Sequence, residues 1–228
     1  MKTKKLLFYS LAAILGGCVP VMSLHPLYTE KDIIFEEKLL GTWVDDSNDT
    51  VWEFKRFEDA DWALDFTQPE KPEKIYRLLF SNNEGRTKGS FFTHLVTLEN
   101  NLFLDVFPST LPYVPDDPNI GWVYNGPFFI PLHTFIKIDS IEPQLKMRLT
   151  DDEDMKKLLE ENPNAIEHTS IEDKPVLTAS TKELQAFVLK YADDERVFTE
   201  EVALNRQKIK EPNEPPVSEP NKARGKSR

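Results

Sequence analysis

The chain has 228 residues, with 39 Asp and Glu against 28 Lys and Arg, a formal net charge of −11 and a single cysteine. That carboxylate surplus argues against a phosphate-binding face and against nucleic acid as a partner. One cysteine excludes an internal disulfide framework and a thiolate metal cluster, and the length suits one domain of about 180 residues between two non-globular ends.

The amino end opens with Lys2, Lys4 and Lys5, continues through an apolar run, Leu6–Leu15, and reaches Gly16 and Gly17 just before Cys18. A basic start, a short apolar centre and small residues at a cut form the three-part layout of a secretory signal. As a helix the run spans roughly 15 Å, about half of what a bilayer crossing needs. Leu15-Gly16-Gly17-Cys18 resembles the lipobox of bacterial lipoproteins. The resemblance implies a diacylglycerol thioether on Cys18, cleavage just before it, and acylation of the new amino terminus with palmitate-type chains. Residues 1–17 are then a signal peptide and residues 18–34 a lipidated tether to the fold. One acyl chain anchors marginally, whereas two or three hold stably. The first partner implied is therefore a membrane of the cell envelope, beyond the inner membrane. Val19 in place of aspartate points, by the same resemblance, to the outer membrane. Losing Lys2, Lys4 and Lys5 leaves the chain still more acidic, so acyl chains rather than charge would make the membrane contact.

From Gly41 the apolar period is two. It predicts strands at 41–46, 50–57, 62–66, 74–80, 90–98 and 102–107, joined by short polar turns. Residues 108–132 carry six prolines, too many for an interior strand, and read as a long loop. Strands resume at 133–141 and 144–150. About eight antiparallel strands in sequence remove both exposed edges most economically by closing into an up-and-down barrel. Two helices follow, 151–162 and 180–198, the second opening on a capping box of Ser180 and Glu183. Between them, 165–171 and 175–180 read as short strands that pair with each other or with the barrel edge. The domain thus runs from 35 to 207, and the proline-rich, charged residues 208–228 form a disordered tail.

Gly41-Thr42-Trp43, preceded by a half-turn at 36–40, resembles the G-x-W motif of lipocalins and related calycins, which opens the first barrel strand. The resemblance covers about 35–170 and implies a mainly β, lipocalin-like barrel with two C-terminal helices. It also implies a basic residue packed over the tryptophan at the barrel base. Arg148, near the end of the last expected barrel strand, is suitably placed for that cation–π lid on Trp43.

Catalytic signatures are missing. His25, His94, His133 and His168 show no metal-ligand spacing, and no nucleotide-binding or nucleophile motif is present. Asp151 to Asp154 read as a helix start, where carboxylates meet free N–H groups, rather than as a calcium loop. The expectation is a protein that is not an enzyme and uses no metal or cofactor. Two roles stay open. In one, the barrel binds a small hydrophobic or lipid-like ligand among Trp52, Phe54, Trp62, Leu64 and Phe66. In the other, those side chains fill the barrel, and the 108–132 loop contacts an envelope protein through Tyr113, Trp122 and Tyr124. An eight-stranded barrel has room for its own side chains or for one small ligand, so its interior decides between them.

Overall fold

The computed structural model describes residues 20–47, 49–57, 72–82, 87–109 and 130–207. In chain order its elements are β1 (Met22–Ser23), β2 (Ile33–Ile34), β3 (Gly41–Val44), β4 (Thr50–Arg56), β5 (Ile75–Asn82), β6 (Thr87–Leu98), β7 (Asn101–Pro108), β8 (Thr134–Ser140) and β9 (Gln144–Leu149). Helix α1 (Asp152–Glu161), the hairpin β10 (His168–Ile171) and β11 (Lys174–Leu177), helix α2 (Thr181–Lys190) and strand β12 (Glu200–Arg206) complete it.

Eight strands close on themselves. β3 to β9 follow one another, β12 pairs with β9 on one side and β3 on the other, and all these pairings are antiparallel. The result is the expected mainly β, lipocalin-like barrel with two helices. The eighth strand is β12, however, whose Val202 and Leu204 alternate with Glu201 and Asn205. The strand expected at 62–66 lies outside the described residues.

The alternation in each strand separates two cores. Trp43, Phe54, Tyr76, Leu95, Leu104, Met147 and Leu204 face into the barrel. Phe103 and Phe135, of opposite parity, face out and are covered by Met155 and Leu158 of α1, Phe187 and Val188 of α2, and Phe198. The Asp151 carboxylate caps α1 by accepting the Asp154 N–H at 3.0 Å. Ser180 and Glu183 make the expected box at α2, with Glu183 Oε2 accepting the Ser180 N–H at 3.0 Å. α2 stops at Lys190, short of the expected 198, because Asp194 organises a turn. Its backbone oxygen accepts the Val197 N–H at 3.0 Å, and its carboxylate accepts that of Arg196 at 2.9 Å. Among the described residues no helix is long and apolar enough to cross a membrane.

Residues 20–34, expected as part of the tether, are instead a strap across the outside of the barrel. Val21 and Leu27 are fully buried and Ile33 nearly so. β1 lies parallel to β11 and β2 antiparallel to β6. A free tether would leave those apolar side chains in water, and docking removes them from it. After the strap, Phe35 and Glu36 lead into a 3₁₀ turn, Glu37–Leu39, that closes one end of the barrel. There Phe35 stacks on Tyr76 with ring centroids 4.6 Å apart. The Tyr76 hydroxyl accepts the Glu36 N–H at 2.6 Å and donates to the Glu36 oxygen at 3.1 Å.

Burial, helped by the nearby Glu36 and Glu37 charges, pushes the Tyr76 phenol up from its usual 10.0 to about 12. The folded state therefore holds this proton more tightly than the unfolded chain. Its contribution to stability is complete below about pH 10 and is lost as the pH climbs towards about 12. Urea midpoints measured across this window should fall with rising pH, and should fall less steeply in Tyr76→Phe.

Candidate ligand site at the barrel mouth

The two ends of the barrel differ. At the closed end Trp43 is fully buried, and its indole Nε1–H donates to the Leu39 oxygen at 2.9 Å. The guanidinium of Arg206 lies over its ring, 4.2 Å from the centroid. Arg206 also donates to the Leu40 oxygen at 2.7 Å and to the Lys38 oxygen, so one side chain closes the ends of two strands and the turn. Gly41 has a φ of +118°, and a Cβ there would sit 2.8 Å from Arg206 Nη1. The backbone conformation favours glycine, and a side chain would also have to displace the end of Arg206.

Arg206, not Arg148, is the lid on Trp43. Arg148 stands on the outside of β9, where it holds Asp139 with two hydrogen bonds of 2.8 Å. The last barrel strand is β12 and not β9, so the lid comes 58 positions later in the chain than Arg148. The outer wall beside Arg148 also binds Lys137, whose buried ammonium donates to the Ala192 oxygen at 2.8 Å and to Asp193 at 2.9 Å. Lys137 holds the Asp193 carboxyl below its ordinary range.

Away from the closed end the inner wall opens steadily. Along β5 exposure rises from Tyr76 (0 %) through Leu78 (2 %) to the partly exposed Phe80. On β4 it rises from Phe54 (1 %) to Trp52 (9 %), and on β7 from Leu104 (0 %) to Val106 (5 %). Leu95 on β6, Met147 on β9 and Leu204 on β12 are fully buried, while Phe91, Leu149 and Val202, nearer the same end, are partly exposed. On β4, β5, β9 and β12 the apolar inward residues are more exposed towards this end. At the other end Leu102, beside the Glu99–Asn100 turn, is partly open as well.

Described side chains on the inward rows are charged only at the closed end, at Arg56 and Arg206. Towards the mouth the polar groups are neutral. Thr93 on β6 and Thr134 on β8 both stand opposite Val106 of β7, two strands apart. Both hydroxyl oxygens are buried without a hydrogen-bond partner. A hydroxyl so placed costs about 1 to 3 kcal/mol relative to a satisfied one.

Among the residues expected to bind ligand, Trp52 and Phe54 stand next to each other on the inner face of β4, with rings 6.4 Å apart. Trp62, Leu64 and Phe66 lie outside the described residues, as do Tyr113, Trp122 and Tyr124 of the long loop, and Cys18. Phe80, Phe91, Leu149 and Val202 are additions at the mouth. Their strand parity carries the signal, but only the closed barrel shows which parity is inside.

One polar cluster sits on the outer wall beneath the strap. Asp105, 1 % exposed, accepts the Leu27 N–H through Oδ2 at 2.8 Å and meets His133 Nδ1 through Oδ1 at 2.7 Å. His133 and Ser23 exchange backbone hydrogen bonds of 2.8 and 2.9 Å. The ring of Tyr28 lies 4.3 Å from that of His94. The Ser23 hydroxyl beside this pair donates to the His25 oxygen at 2.8 Å. Among the described residues no group of three His, Cys, Asp or Glu side chains is arranged to hold a metal ion. The cluster fastens the strap. Compared with family models, curated proteins and solved structures, the chain matches none.

Proposed function

We propose that this protein is a lipid-anchored envelope lipoprotein, held through Cys18, whose lipocalin-like barrel takes a small hydrophobic, lipid-like molecule through its mouth. The observation that carries the reading is the set of partly exposed apolar side chains at the mouth, Phe80, Phe91, Leu149 and Val202, beside the unpartnered hydroxyls of Thr93 and Thr134. Bulky Trp43, Phe54 and Tyr76 fill the lower half, and a ligand would lie against Trp52, Phe80 and Phe91 nearer the mouth. Thr93 and Thr134 would receive an uncharged oxygen of that ligand, and the absence of described inward charge near them disfavours a buried ionic head. The bulk of the lower half also fits the second role, a packed module with a protein partner.

Protein extracted in mild detergent and analysed by native mass spectrometry should carry a lipid-sized adduct. Val202→Arg, which puts a charge at the mouth, should lose it, and repeated failure to find an adduct in the parent protein would sink the ligand reading. Thr93→Val should stabilise the ligand-free protein by about 1 kcal/mol, because it removes a buried hydroxyl that lacks a partner. The same change should weaken adduct retention. Cys18→Ser should move the protein from the membrane fraction to the soluble fraction, as read by fractionation and by loss of acyl mass.

A further inference from the structure

We infer that the barrel mouth faces the bilayer that holds the acyl chains, so that ligand passes between membrane and barrel without crossing water. This rests on the lipidation of Cys18 proposed above. The strap makes the connection. The Val21 N–H donates to Thr150 Oγ1 at 3.1 Å, and Thr150 directly follows β9 at its mouth end. Two residues later, Ser23 bridges to His133, directly before the mouth end of β8. Val21 is fully buried, so the strap is seated where the anchor segment joins it.

Cys18 stands three positions before Val21. Three extended residues reach at most about 11 Å. The closed end lies a strand away, and the seven residues of β4 make that roughly 20 Å. So short a leash ties the membrane to the mouth half of the barrel and not to the 3₁₀ turn.

The surface at that end suits a bilayer. Leu24, Ile130 and Ile171 are the exposed large hydrophobics of the described chain, at 40, 71 and 56 %. Leu24 directly follows Ser23, and Ile130 stands three positions before His133, so both flank the bridge on the mouth side. Ile171, at the tip of the hairpin whose β11 runs parallel to β1, lies on the side away from this rim and is not part of it. A net charge of −11 gives no general attraction to anionic lipid, so the contact is apolar and insensitive to salt.

The full lipidated chain, reconstituted in phosphatidylethanolamine–phosphatidylglycerol vesicles with brominated acyl chains, supplies the test. A fluorophore is attached at Ile130→Cys near the mouth, or at Asn100→Cys in the closed-end turn. The mouth probe should be quenched several-fold more than the closed-end probe, at low and high salt alike. Intact mass on the same preparation reports acylation separately. Acylated protein whose closed-end probe is quenched as strongly, or whose mouth probe is not quenched, overturns the orientation and leaves the anchor standing. Protein without acyl chains overturns both.

Discussion

Trp43→Ala should cost about 3 to 5 kcal/mol in urea denaturation, a large share of the stability of an ordinary domain. The indole is fully buried where β3, the 3₁₀ turn and β12 meet, and it contributes at once to packing, to the bond with the Leu39 oxygen and to the platform beneath Arg206. Removing it leaves a cavity in the most closed part of the barrel and an unoccupied acceptor beside it. Arg206→Ala should cost less, about 1 to 2 kcal/mol, because its guanidinium is partly solvated although it caps two backbone oxygens. Arg148→Ala is the discriminating comparison. Its pair with Asp139 lies on the outer wall, and its loss should cost about 1 kcal/mol or less. Equal losses for the two arginines would contradict the assignment of the lid to Arg206. Gly41→Ala should be destabilised in its own right, since a φ of +118° is strained for alanine and its Cβ would push the Arg206 guanidinium off its seat.

The contrast between the two arginines shows what the chain makes legible and what it hides. Period-two runs such as 50–57 and 144–150 reveal barrel strands directly, because one face meets the core and the other meets water or helices. The G-x-W stretch likewise marks where the barrel begins. β12 is harder to read. It is a short alternating run between a turn and a charged tail, and its partners β3 and β9 lie far upstream, so nothing local signals that it completes the ring. Missing it displaced the lid to Arg148. The strap was hidden for a related reason. Its Val21, Leu27 and Ile33 follow no single period, because each packs against a different part of the barrel. Thr93 and Thr134 are ordinary strand residues in sequence, and only the register that sets both against Val106 makes them a pair. Trp52 and Phe54 were legible as inward aromatics, whereas the direction in which the barrel opens depends on comparing all its strands.

Asp105→Ala should loosen the strap before it unfolds the barrel. The carboxylate is buried and both oxygens are engaged, one by the Leu27 N–H and the other by His133. Alanine leaves a buried backbone N–H without an acceptor and a ring nitrogen without its partner, a cost of about 2 to 4 kcal/mol. Much of that loss should be local, because the strap joins the barrel through few backbone pairs: the bridge of Ser23 to His133 and the two residues of β2 against β6. Hydrogen exchange should therefore quicken at Ser23, Leu27 and His133 well before it changes at Leu104 or Met147 inside the barrel. Asp105→Asn separates geometry from charge. Its amide oxygen can accept the Leu27 N–H while its NH₂ donates to His133 Nδ1 in the other ring tautomer, so both contacts survive and the cost should be clearly smaller than for alanine. The same pair of variants bears on membrane orientation. If the strap is what holds the mouth to the bilayer, the Asp105→Ala protein should stay membrane-bound while its mouth probe loses quenching, and Asp105→Asn should retain both. A barrel that keeps its orientation with the strap released would have to be held by its apolar rim alone, and Ile130→Asp in the Asp105→Ala background would then be the change that frees it.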